Sequence, residues 1–469
     1  MSSTQRMLGV TVLGDYLLSE GPATVLRNLQ DIGVTAVATN PTVTAPAPEG
    51  TGSFQPPTDA GSSPRVFDRP LFGRTSLWVR SGPSYHPDPQ FYKQSPYAPR
   101  TPNDLTEDHG HIIGEFISLA VDAGLKVYFQ LGAAQPTGLR NEDRPRLPNG
   151  ELPQGRVANT ASLASEAVHA YNAAYIADLI SQYPQISGFR PDWPEAPCYT
   201  IDECFQDFSS HVAKCRPVEQ YLKSLNIDFE EIQSDIDRLY NLLRGGLTTP
   251  ILQQVMSDPS TPQQFGIPAS SIQHWLQIKR ELSFAILNRW RTSLENHSPH
   301  RYELSANSFM PPYNQLTGFD FSRNASICDA ISPKLYTMHW TQMVDFWGRR
   351  LLEQNSKLDE SILVKVLANW MEIDNSPDTN KLADYGYPAP DEPHRVSTDL
   401  QTQKIEQVTQ ETNGQCAVTP LVHGYGPPAD FERRLQLVAD CQVEGVWINR
   451  YGYLSDTKLA IIRDTWSPS

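Results

Sequence analysis

Cysteine is scarce in this chain, with six residues in 469 (Cys198, Cys204, Cys215, Cys328, Cys416 and Cys441). So few, so scattered, they cannot form the framework of a small disulfide-stapled fold, and a reducing, cytoplasmic compartment is the expectation. Three of them lie with His211 between positions 198 and 215, but no CxxC pair occurs there, so no structural zinc site and no metal is expected. Long apolar runs are missing too. No window of about 18 apolar residues exists, which argues against a membrane span. Residues 1–18 lack a charged segment followed by an uninterrupted apolar run, because Gly14 and Asp15 break it, so no secretory leader is expected. Basic surplus is absent: 38 Lys and Arg face 53 Asp and Glu, for a net charge of −15. Nucleic acid and anionic membranes are therefore not expected as partners. Finally, no GxGxxG follows the first apolar run, which disfavours a dinucleotide cofactor; no cofactor is expected.

What is present is alternation. Eight short, nearly continuous apolar runs read as strands buried on both faces: 7–13, 34–39, 126–131, 186–191, 302–307, 332–337, 416–422 and 444–449. Amphipathic segments at 22–32, 111–123, 161–183, 270–296, 341–355, 428–441 and 456–464 read as helices between them. Residues 359–373 also keep a helical spacing, through Ile362, Val366, Leu367 and Trp370, and are read as a lid helix before strand seven. Eight strands in strict βα alternation predict an α/β fold of the (β/α)8 barrel type, as one catalytic domain over residues 1–469. An open doubly wound sheet is the alternative. Three insertions interrupt the pattern: a Pro- and aromatic-rich lid loop at 41–108, a polar loop at 133–160, and an excursion at 200–269 with a helical pattern over 217–244. Loops of this length are usually functional, and all three leave the C-terminal ends of strands, where barrel sites lie. The lid aromatics Trp78 and Tyr85 are expected to pack under their own loop.

On that fold the strand ends converge on one mouth. They deliver Asp15, Asn40, Gln130, then Arg190, Asp192, Trp193 and Glu195 from strand four. Lys334, Tyr336, His339 and Trp340 come from strand six, His423 and Tyr425 from strand seven, Asn449 and Tyr451 from strand eight. Rings for stacking on C–H faces, mixed with amides, imidazoles and carboxylates for hydroxyls, suit a sugar. Arg190 and Asp192 alternate on strand four, so both are expected to point inward, the guanidinium favouring the ionised carboxylate that a nucleophile needs. Glu195 is the candidate second carboxylate, an acid beside an apolar surface.

The stretch "GFRPDWPE" resembles the strand-four signature of α-amylase-like and α-galactosidase-like barrel glycoside hydrolases, in which Asp of an Arg-x-Asp pair is the nucleophile. "AGLKVYFQ", "YNAAYIADLISQYPQISGFRPDWPE", "ISPKLYTMHW" and "VEGVWINRYGYLSD" resemble a group of bacterial barrel glycoside hydrolases without a settled activity. The resemblance implies hydrolysis of a glycoside or oligosaccharide with Asp192 as nucleophile or base. Such enzymes usually take their acid from strand five, six or seven, whereas here Glu303 begins strand five and strands six and seven end in histidine and aromatic residues. The acid is then Glu195, Asp15, a lid residue such as Glu372 or Asp374, or absent. Two alternatives stay open: a metal-dependent sugar isomerase or epimerase on Asp192, Glu195, His339 and His423, and a non-catalytic sugar-binding barrel.

Overall fold

A computed structural model describes residues 6–466 apart from 59, 61–64, 259, 298–299 and 375–378. Its centre is a closed barrel of eight parallel strands: β1 (Met7–Thr11), β2 (Ala36–Thr39), β3 (Lys126–Gly132), β4 (Gly188–Asp192), β5 (Glu303–Ser308), β6 (Ala330–Leu335), β7 (Leu421–His423) and β8 (Gly445–Asn449). Each pairs in parallel with its chain neighbours, and β8 returns to β1 through Met7–Gly445 to Val10–Ile448. The barrel rather than the open sheet is thus the fold. The run expected at 416–422 is split: Ala417–Val418 pairs with Ala330–Ile331, and β7 resumes at Leu421. Pro420 has no N–H to give the ladder, and the break falls there.

Alternate strand residues face inward, and Ala36, Ala38, Tyr128, Leu421 and Trp447 make the apolar filling of the barrel. Small residues opposite large ones make this possible. A Cβ on Gly9 would overlap the Trp447 indole, so glycine there lets the ring occupy the axis. The outward faces of the strands pack under surrounding helices, among them Pro22–Gln30, His111–Asp122, Glu166–Gln182, Ala269–Glu295, Thr337–Gln354, Pro428–Asp440 and Asp456–Thr465.

The helical reading of 359–373 corresponds to a helix at Glu360–Trp370, capped by Asp359. A further helix, Thr398–Thr412, was not foreseen; it is polar, and only Leu400, Ile405 and Val408 mark its buried apolar face. The helical pattern at 217–244 is two helices, Arg216–Leu225 and Phe229–Asn241, broken at left-handed Asn226 (φ 53°) and restarted by Asp228 as N-cap. The 133–160 loop is largely irregular, with one short turn at Asn141–Asp143. The lid contains a three-stranded antiparallel sheet of Thr42–Pro46, Leu77–Pro83 and Ser53–Gln55, with Trp78 packed edge-on against Phe54 at 5.6 Å. Among the described residues, all six cysteines are free and no helix is long and apolar enough to cross a membrane.

Candidate active site

Strand four carries the site because of its sequence. Pairing of β4 with β5 stops at Phe189–Leu304, whereas its pairing with β3 runs on to Asp192–Gly132. Pro191 can therefore sit in the strand, since its missing N–H faces the side where the ladder has ended. Arg190 and Asp192 both point inward, but at different depths, and they do not form the pair that their spacing suggests. Arg190 is wholly buried in the barrel, its guanidinium 3.7 Å from the centre of the Trp447 ring. It donates to Ser305 Oγ (2.7 Å), Ser332 Oγ (3.2 Å) and Asn307 Oδ1 (2.7 Å). Burial among neutral partners pulls its pKa down to about 9.

Asp192, one layer higher, pairs with Lys334 instead: Nζ to Oδ1 is 2.6 Å. The ammonium also lies 4.3 Å from the Trp193 ring centre and 5.5 Å from that of Phe309. A quarter of the Asp192 side chain remains exposed at the mouth.

The chain then turns through Trp193 at φ 59°, a left-handed conformation that costs an aromatic residue about 1–3 kcal/mol. Glu195 holds this turn. Its side chain is fully buried, Oε1 accepting from Phe309 N–H (2.6 Å) and Oε2 from the Thr317 hydroxyl. Burial pushes its carboxyl up to about 7, as an acid requires, but both oxygens are committed to the connection after β5.

The remaining strand ends divide the mouth in two. Over β4 and β6–β8 it is aromatic. Tyr336 stands edge-on to His339 (5.2 Å) and His423 (5.0 Å), and its hydroxyl accepts from Asn449 Nδ2 at 2.7 Å. His339 Nδ1 is 2.8 Å from the Tyr199 hydroxyl, and Tyr199 packs with Trp193 and Phe309. His423 Nδ1 accepts from Tyr425 N–H at 3.0 Å, fixing its ring.

Over β1–β3 the mouth is polar. A cavity of about 420 Å³ is lined there by Asp15, Asn40, Gln130, Gln135 and the lid residues Gln55 and Arg100, among others. Burial raises the Asp15 carboxyl above its ordinary range, with the Arg450 guanidinium pulling the other way. Asn40 Oδ1, Gln130 Oε1 and Thr39 Oγ1 are buried without a hydrogen-bond partner. Buried polar atoms normally have one, so the cavity is equipped for a ligand with hydroxyls.

Three expected contacts lie elsewhere. Trp340 falls in the first turn of the Thr337–Gln354 helix; one residue past His339 it points away from the mouth, buried near Tyr313 (6.1 Å) and the Lys404 ammonium (5.6 Å). Tyr425 is buried with its hydroxyl on Pro388 C=O. Tyr451 turns outward, accepting from Asn28 and donating to Glu20. Each follows a strand end, where the period of two no longer governs direction.

The lid supplies what the strand ends did not announce. Tyr85 and Tyr92 both donate to Asp178 Oδ2 (3.1 and 2.9 Å), and Tyr97 donates to Asp143 Oδ2 (2.6 Å). Asp178 stands on the Glu166–Gln182 helix, which also brings Tyr171 and Tyr175 to the cavity wall, stacked at 5.4 Å. Only the run of tyrosines in a proline-rich loop hinted at this, because their acceptors lie far away in the chain. Of the carboxylates in the metal reading, Glu195 is tied to the connection after β5. Among the described residues no three His, Cys, Asp or Glu side chains converge as a metal site would need.

No protein-family model and no curated protein matches the chain. Solved structures to which it is similar include β-galactosidase from psychrophilic Marinomonas ef1, at 10% identity and TM-score 0.48, over 95% of this chain and 54% of that one. The chain thus spans about half the length of that enzyme. The catalytic domain of β-amylase from Paenibacillus polymyxa matches at 10% identity and TM-score 0.48, over 98% and 97% of the two chains. A glycoside hydrolase family 18 N-acetylglucosaminidase from Paenibacillus barengoltzii matches at 10% and 0.40, over 98% and 100%. At such identity the likeness transfers neither residues nor substrate.

Proposed function

We propose that the protein hydrolyses a glycosidic bond in a glycoside or short oligosaccharide, with Asp192 as nucleophile or base. The observation that carries this reading is the position of Asp192: a carboxylate oriented by Lys334 at 2.6 Å, followed directly by the aromatic Trp193 and in register with Gly132, which lines the polar cavity. Trp193 and Tyr336 offer faces for the sugar whose bond is broken, with His339, His423 and Asn449 around it. Asn40 and Gln130 receive hydroxyls of the neighbouring unit. Asp15 takes the role of acid, because it lines the cavity and burial favours its protonated form. Glu195 is read as a positioning residue that holds the Trp193 turn, since both of its oxygens are engaged. The whole chain then acts as one catalytic domain, with 41–108 as its lid.

The test is a panel of glycosides and oligosaccharides read by mass spectrometry. Wild type, Asp192→Asn and Asp15→Asn are compared, each with and without EDTA. Product from the wild type that vanishes in both variants and ignores EDTA supports the reading. Product that survives in Asp192→Asn displaces the site. Loss with EDTA transfers the chemistry to a metal, and sugar binding without product from any substrate leaves a binding protein.

A further inference from the structure

The polar cavity holds a guanidinium, Arg100, that cleavage of a neutral glycoside does not use; the one carboxyl in its lining, Asp15, is favoured in its protonated form by burial. Arg100 is the one cation among the described residues lining it, and among the described residues no carboxylate pairs with it. Two other lid guanidinium groups are ion-paired, Arg80 to Asp104 at 2.6 Å and Arg69 to Asp456 at 3.2 Å. Arg100 is exposed at the rim, so its charge is available to a ligand entering the cavity. On the floor of the same cavity, Asn40 Oδ1 and Gln130 Oε1 are buried acceptors with no donor.

These two needs select a ligand. Empty acceptors call for O–H donors, which any sugar supplies, and an unpaired guanidinium calls for an anion, which a neutral sugar lacks. Inorganic phosphate answers the cation but fills the acceptors poorly. A polyhydroxylated carboxylate answers both, since the planar guanidinium fork matches a carboxylate. We propose that this cavity binds an acidic sugar, a uronic or aldonic acid unit, with its carboxylate on Arg100 and hydroxyls on Asn40 and Gln130. The substrate would then be an acidic oligosaccharide or glycoside; that last step, unlike the binding itself, rests on the hydrolytic reading above.

The test is calorimetric titration of the full chain with D-glucuronate and with D-glucose, on wild type, Arg100→Gln and Arg100→Lys. Glucuronate is expected to bind the wild type about tenfold more tightly, the worth of one charge-assisted hydrogen bond. The preference should vanish in Arg100→Gln, return in part in Arg100→Lys, and shrink as salt is added, because Arg100 is exposed at the rim. Equal affinity for both sugars, no binding of either, or a preference that outlasts Arg100→Gln overturns the proposal. Among the described residues the Arg100 side chain makes no hydrogen bond or ion pair, so Arg100→Gln is expected to melt as the wild type does, which thermal denaturation checks. If the wild type cleaves nothing but the Arg100-dependent preference is seen, the hydrolytic reading fails alone. If neutral glycosides are cleaved without that preference, only the acidic sugar is lost.

Discussion

The two halves of the barrel mouth are built on opposite principles. Over β4 and β6–β8 the residues at the mouth pair with one another: Lys334 with Asp192, Asn449 with Tyr336, His339 with Tyr199, and Tyr336 packs edge-on against His423. Over β1–β3 the groups are left wanting, with orphaned acceptors on Asn40 and Gln130 and a cation without a counter-ion at Arg100. A prearranged half costs little reorganisation when charge develops, which is where catalysis gains most. An unsatisfied half gains most from the ligand itself, which is where recognition gains most. The difference assigns chemistry to the first half and selectivity to the second, with Asp192 on the seam.

The comparison can be broken at four places. The largest effect is expected at Asp192. Asp192→Asn keeps the shape of the mouth but removes the charge, and turnover should fall by about 10³–10⁴-fold, with a drop in Tm because buried Lys334 loses its counter-ion. Activity within tenfold of wild type would move the chemistry out of the aromatic half.

Next is Glu195, where stability rather than chemistry should respond. Glu195→Ala leaves Phe309 N–H and Thr317 Oγ without their partner in a buried site, so unfolding should cost about 3 kcal/mol less by chemical denaturation. Glu195→Gln keeps an acceptor and should retain turnover; if it is as dead as Asp192→Asn, Glu195 is the acid after all. The carboxyl is raised from 4.5 to about 7 on folding. Its contribution to stability is therefore full below about 4.5 and is lost as pH rises through about 7. Between about pH 5 and 8 the wild type should lose Tm relative to Glu195→Gln, and a constant difference across that range would contradict the burial described.

A smaller effect is expected on the polar side. Asp178→Asn removes the charge that receives Tyr85 and Tyr92 and so loosens the lid wall. KM should rise about fivefold with kcat preserved, since no reacting group moves; a fall in kcat alone would unseat the division of labour. The smallest change is Tyr336→Phe, which takes one acceptor from Asn449 and should cost about 0.5 kcal/mol, roughly twofold, in kcat/KM. No change at all would make Tyr336 a packing residue.

Much of this architecture was legible in the residues. Eight apolar runs alternating with amphipathic segments admit few closed arrangements, and each run lies within two residues of its strand at most ends. Asp192 at a strand end facing inward followed from the period of two and from the polar residues after Phe189. The unforeseen helix at Thr398–Thr412 shows the limit, because a weakly apolar helix takes its identity from what it packs on. Glu195 shows it again. Its spacing from Asp192 is the same whether it faces substrate or the β5 connection, and only the approach of Phe309 and Thr317 decides.

By itself, then, the sequence determined the repeating βα pattern, the acidic surface, the concentration of aromatic and polar residues at strand ends and the inward direction of Arg190 and Asp192. These are local properties, set by side-chain period and composition within a few residues. The tertiary structure alone decided that Arg190 lies on Trp447 while Asp192 meets Lys334, that the tyrosines of the lid end on Asp178 and Asp143, and that the unpartnered acceptors of Asn40 and Gln130 gather in one cavity. The physical reason is barrel closure: which inward residues share a layer depends on the stagger of strands distant in the chain, and hydrogen-bond partners are fixed only when those strands meet.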